Sequence, residues 1–179
     1  MPLYIQTQKG FTLIELLVIV AVVGVLAGAI IAMINPDRQF ANARNAQRKK
    51  DLRDIANALE AYVTVNGSYP VSGASVWCNT SATGAYGCGG NNRLGGLLTG
   101  GHLKKIPTDP KNNLPNLFNP SCASNNTYGY LYRSDTGTEY KILAYCTPEV
   151  NIVTSTDPMK DPARTTTSWS IYSPGASGY

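Results

Sequence analysis

Between Phe11 and Ile34 the chain carries one charge, Glu15, and this run restricts the fold more than any other feature. Apolar residues in that number, at about 1.5 Å of rise each, cover the roughly 30 Å hydrocarbon core of a bilayer. Glu15 sits near the start of the run, where burying its charge costs about 2.5–3.5 kcal/mol on insertion scales. A charge held at that cost needs a partner. A lysine and a small residue, Lys9 and Gly10, stand directly before the run, whereas a secretory signal has its cleavage site after it. Ala27-Gly28-Ala29 does have the small-x-small form of such a site, which would release a soluble protein starting at Ile30. Against that rival, the apolar run continues past Ala29 to Ile34 and Glu15 interrupts the start of the signal core.

The string Lys9-Gly10-Phe11-Thr12-Leu13-Ile14-Glu15-Leu16-Leu17-Val18 resembles the prepilin motif of type IV pilins and type II secretion pseudopilins. The resemblance implies that a prepilin peptidase cuts between Gly10 and Phe11 on the cytoplasmic side and N-methylates Phe11. It also implies that Glu15 neutralises the amino group of Phe11 on a neighbouring subunit as the helices bundle. The physics agrees: a paired buried charge costs far less than an unpaired one, so the pair favours one axial register. The plainer reading of Glu15 is a carboxylate capping its own helix amides. The implied partners are identical and related pilin subunits, the peptidase, an assembly ATPase and a platform membrane protein. The implied fold class is α+β, a long N-terminal helix whose second half packs on a small antiparallel sheet. The segments are a leader at 1–10, a membrane or filament-core helix at 11–34, an amphipathic half-helix at 35–66 and an extracellular head at 67–179.

Charge and cysteines bear on the head. The net charge of +4 is weak, and charged residues make up only 15% of the chain, while Gly, Asn, Ser, Thr and Tyr are plentiful. That is the composition of a loop-rich extracellular domain. Cys78, Cys88, Cys122 and Cys146 all follow the apolar run, so an exported domain would hold two disulfides. Of three connectivities, Cys78–Cys88 with Cys122–Cys146 is preferred for locality. No C-x-x-C pair occurs and His102 is the lone histidine, so no zinc site is assigned. One signal conflicts: Arg38, Arg44, Arg48, Lys49, Lys50 and Arg53 follow the span, against Lys9 and the terminal amine before it. Positive-inside counting alone would turn the head inward; the cysteines and the prepilin resemblance overrule it.

Within the run, Gly24, Gly28 and Ala32 recur at four-residue steps, a spacing that permits close helix approach in lipid. Asn35-Pro36 predicts a kink or break, since proline removes a helix hydrogen bond. From Asp37 to Asn66 the pattern is amphipathic, with Leu52, Ile55, Ala56, Leu59, Tyr62 and Val63 on one face, and Asn66-Gly67 stops it. Helix from Phe11 to Asn66 would be about 84 Å long, more than a domain of this size can bury. The basic cluster on it invites a DNA-binding reading, but a solvated face paired with acids is favoured.

Residues 67–126 read as loop-rich, with a short helix over 94–105. The segment Gly101 to Pro110 resembles the stretch before the sheet in major pseudopilins of type II secretion. Tyr128, Tyr130 and Tyr132 alternate, and 139–146 alternates less cleanly, with a turn at Ser134-Asp135-Thr136-Gly137, so a hairpin is expected, with a third strand at 169–173. The tyrosine row serves cross-strand packing ahead of sugar stacking. The resemblance further implies a calcium site in the C-terminal loops. Asp135, Glu139, Asp157 and Asp161 are the conceivable oxygen donors, but none stands in a ligand pattern, and no metal or other cofactor is assigned. Residues 147–167 read as an extended surface loop and the last residues as without fixed structure. No triad, metal cluster or phosphate loop points to catalysis; the chemistry expected is done to the chain, at Gly10-Phe11.

The favoured reading is a structural subunit of a type IV pilus-like filament. It is stored in the inner membrane with its head outside and then built into a surface pilus or periplasmic pseudopilus. The first alternative is a type II secretion pseudopilin; the second, of another class, is a membrane-anchored binding module that does not polymerise.

Overall fold

The computed structural model describes residues 10–80, 88, 93–111, 129–149, 153–164 and 167–179. The leader residues 1–9, Cys122 and Tyr128 lie outside them. Two compact units emerge, Met1–Gln39 and Phe40–Tyr179.

Helix α1 spans Leu13–Met33, 21 residues, which at 1.5 Å per residue is about 30 Å, one hydrocarbon thickness. The stretch Leu13–Ile31 has a mean hydropathy of 2.9 and none of it is buried within the chain. α1 ends at Ile34, whose backbone is extended; the helix cannot run on, because Asn35 precedes a proline and is disfavoured in the helical region, and Pro36 has no N–H to continue the ladder. The Asn35 side chain then accepts from the Arg38 amide at 3.2 Å, the geometry of an N-cap, with Pro36 at the first helical position. The break expected at Asn35-Pro36 is therefore a full stop and restart.

Helix α2 spans Pro36–Asn66. Leu52, Ile55, Ala56 and Leu59 are buried, and Gly67 at φ +75° closes the end with its N–H on the Val63 carbonyl. The sheet is antiparallel with order β1-β2-β3-β4: β1 Cys78–Asn79, β2 Gly129–Arg133, β3 Lys141–Tyr145 and β4 Ser168–Tyr172. Alternation puts Tyr130, Tyr132, Ile142, Ala144, Trp169 and Ile171 on one face, where they join the α2 residues in a single apolar core. The 134–140 connection turns through Gly137 at φ +82°, so the hairpin stands where the sequence places it.

Four expectations need correction. The helix expected over 94–105 is only α3, Gly95–Thr99, because Gly100-Gly101 follows and Gly101 takes φ +71°. A fourth strand, β1, lies in what reads as loop; two residues are too short for a period. The 147–167 stretch is only in part a surface loop: among its described residues 154–156 are exposed, but Glu149, Val153, Met159 and Asp161 are buried. The C-terminal residues have fixed structure, with a 3-10 turn over Pro174–Ala176 and Ala176 buried.

Candidate processing and assembly site

Thr12 is the N-cap of α1, and its hydroxyl accepts from the Glu15 amide at 3.3 Å. Glu15 returns the favour: its carboxylate accepts from the Thr12 amide at 2.9 Å and the Thr12 hydroxyl at 2.8 Å. The pair is a capping box, which satisfies two of the otherwise open amides of the first turn. In the single chain Glu15 thus follows the plainer of its two readings. Gly10 stands ahead of the helix, exposed and outside any regular element, and space around its α-carbon is open. Phe11 is 82% exposed. The Gly10–Phe11 peptide is accordingly accessible, and the fixed helix start behind it presents Phe11 and Glu15 together.

The basic cluster after the span pairs with acids as expected, but it is not all a solvated face, since Arg48 goes inside. Arg48 is buried and its guanidinium bridges Asp109 at 2.6 Å and Glu149 at 2.7 Å. Arg44 donates to both oxygens of Glu149, and Lys111 approaches Glu149 at 3.0 Å. Asn45 pairs both ways with the Glu149 backbone. Burial pushes the Glu149 carboxyl up, but Arg44, Arg48 and Lys111 outweigh it and hold the group down at about 2. Burial likewise pulls Arg48 down, and its two carboxylates reverse this. Lys49 pairs with Asp157 at 2.7 Å and Lys50 with Asp54 at 2.6 Å. Four of the six basic residues are therefore occupied within the folded head, which leaves little for DNA phosphates and gives those charges a role other than orienting the span. Sequence reading missed Asp109 and Glu149 because ion partners 61 and 101 positions from Arg48 leave no periodic signal.

Cys78 and Cys88 are joined by a disulfide, and Cys146 is disulfide-bonded as well. Of the tyrosine row, the two described members are internal: Tyr130 donates to Asp51 at 2.7 Å and Tyr132 to the Pro70 carbonyl at 2.6 Å, both rings buried, so these two offer no stacking platform. A cleft of about 370 Å³ beside α2 is lined by Asn42, Lys49, Thr154, Asp157 and Trp169. There Lys49 and Asp157 neutralise each other, and the lysine lies over the Trp169 ring at 4.7 Å. His102 meets Tyr62 edge-on at 5.9 Å and faces no nucleophile–acid pair among the described residues.

Calcium does not fit the donors present. It takes six to eight oxygens, carboxylates foremost. All eleven acidic residues are described, yet no group of three or more His, Cys, Asp or Glu side chains gathers among the described residues. Asp135 is held by Arg133, Asp157 by Lys49 and Asp161 by Lys141.

Residues 5–31 match a family described as the prokaryotic N-terminal methylation motif. The chain is 33% identical to type II secretion system core protein G of Pseudomonas aeruginosa, over 60% of this chain and 71% of that protein. Core protein G of Klebsiella pneumoniae is 31% identical, over 59% and 70% of the respective chains. That of Vibrio cholerae is 28% identical over 74% and 77%. No solved structure matches the chain.

Proposed function

The chain belongs to the type IV pilin and type II secretion pseudopilin family, and on that premise we propose that it is a structural subunit of a type II secretion pseudopilus and not an enzyme. The pilus reading favoured by the sequence yields to its alternative, since the relatives are named for the secretion system. The prepilin motif and the apolar helix fit an inner-membrane anchor whose head lies outside, and then a periplasmic filament.

The observation that carries the proposal is α1 itself: an apolar helix with no burial in its own chain, preceded by an accessible Gly10–Phe11 peptide. In the reading we adopt, the peptidase cuts that peptide and methylates Phe11. The helix leaves lipid for a bundle of identical helices, so its apolar surface stays out of water throughout. Glu15 exchanges its Thr12 partners for the Phe11 amine of a neighbour, and the exchange selects one register among the many that apolar packing permits. An assembly ATPase and a platform protein drive the transfer.

The test is mass spectrometry of the N-terminal peptide from the membrane fraction, combined with deletion of the gene. A mature chain starting at N-methylated Phe11, together with lost export of secreted enzymes and intact twitching, supports the proposal. A chain starting at Ile30 removes the filament reading, and intact export with lost twitching returns the pilus.

A further inference from the structure

We infer that the C-terminal part of the head is held by cations belonging to the chain itself, Lys141 and Lys49, and folds without a soluble divalent ion. Lys141 starts β3 and is wholly buried, as is Asp161. Its ammonium lies 2.8 Å from an Asp161 carboxylate oxygen and donates to the carbonyls of Ser177 at 2.8 Å and Tyr179 at 3.1 Å. Three oxygens from two chain segments thus converge on one positive centre away from water. That is the donor chemistry of a hard-cation site, filled here by a side chain. The other Asp161 oxygen accepts from the amides of Ala163 and Arg164, and the side chain as a whole is buried.

A second pin stands beside it in the sequence. Lys49 of α2 reaches Asp157, and the same carboxylate oxygen accepts from the Trp169 indole at 2.9 Å. Between them the two lysines tie the 157–164 stretch to α2 and to the sheet. A divalent ion needs to approach a carboxylate oxygen to roughly 2.3–2.6 Å, close to where the ammonium nitrogen already lies, so charge and volume both exclude it. Burial pulls the Lys141 ammonium below the ordinary lysine range, while Asp161 opposes the pull and the nearby Arg164 adds to it; Arg164 is a second cation of the chain on the same groups, 3.8 Å from Asp161 and donating to the Tyr179 backbone oxygen at 2.8 Å. A tethered cation also has no free concentration to lose. A soluble one stabilises the native state only in proportion to its supply.

The experiment is thermal unfolding of the full-length chain in detergent micelles, followed by near-ultraviolet circular dichroism, in EDTA and in calcium chloride. The expected result is the same Tm in both, within about 1 °C. A Tm several degrees higher in calcium overturns the inference, because that is the signature of a ligand bound by the native state. Lys141→Ala is the companion variant. It is expected to lower Tm by several degrees, and a variant that melts with the unaltered chain removes Lys141 from its assigned role. If the variant does not fold, the comparison of EDTA with calcium on the unaltered chain decides alone.

Discussion

Helix α1 and the head place their side chains under opposite rules. From Leu13 to Ile34 the large apolar side chains lie exposed in the single chain, Leu13 at 81% and Met33 at 86%. In the head the apolar residues of α2 and the sheet share one core, and even charged groups go inside: Arg48 and Asp109 have side chains only 1% and 2% exposed. Among its described residues the head supplies counter-charges from within the chain to its buried Arg48, Asp109, Glu149, Lys141 and Asp161. α1 finds no partner beyond its own first turn. A segment whose requirements are all met internally can fold alone, whereas one whose requirements are all unmet must have lipid or other helices around it. One polypeptide therefore holds a part specified by its own contacts and a part specified by its surroundings.

The contrast breaks most directly at Arg48. Arg48→Met leaves Asp109 buried without its counter-charge, and the head is expected to lose about 3–5 kcal/mol, read by chemical denaturation in micelles, while membrane retention stays unchanged. A head as stable as before would mean that its interior does not depend on the ion pairs. Acid should reach the same hub. The Glu149 carboxyl is held at about 2, below its ordinary value of 4.5, so its contribution is full above pH 4.5 and is lost as pH falls from there towards 2. That amounts to about 3 kcal/mol, and equilibrium unfolding against pH should show it; Glu149→Gln should flatten the curve in that window. The smallest effect sits where the two regions adjoin in sequence. Asn35→Ala removes the cap of α2 and costs about 1 kcal/mol, confined to the first turn. Faster hydrogen exchange at amides 37–39 with an unchanged head Tm would place the border there, and a lowered head Tm would move it.

The two regions also differed in how much of them could be read in advance. α1 was legible because lipid demands one property over a long unbroken run, and Glu15 stood out as its single exception. The stop at Asn35-Pro36 and the closure at Gly67 followed from local backbone chemistry. The hairpin followed from alternation and a turn. What escaped was non-local. Asp109 lies in a segment singled out for resemblance, yet its service to Arg48 could not be seen. Glu149 and Asp161 fell in a stretch that reads as a surface loop, and Lys141 in a strand where its charge carried no reading; charged side chains are usually exposed, and only the fold brings their counter-charges to them. The short strand β1 and the shortened α3 were missed for a simpler reason, that two to five residues carry too little pattern.

The burial of the Arg48–Asp109–Glu149 hub has an environmental consequence. Dissolved salt weakens attraction between charges mainly where mobile ions can come between them, over a Debye length of about 8 Å at physiological ionic strength. An exposed pair such as Lys50–Asp54, with side chains 65% and 41% exposed, is open to that interference. The hub is closed to it. A domain outside the inner membrane lives in a compartment whose ionic content follows the medium, and this one carries its principal attractions where osmotic swings do not reach.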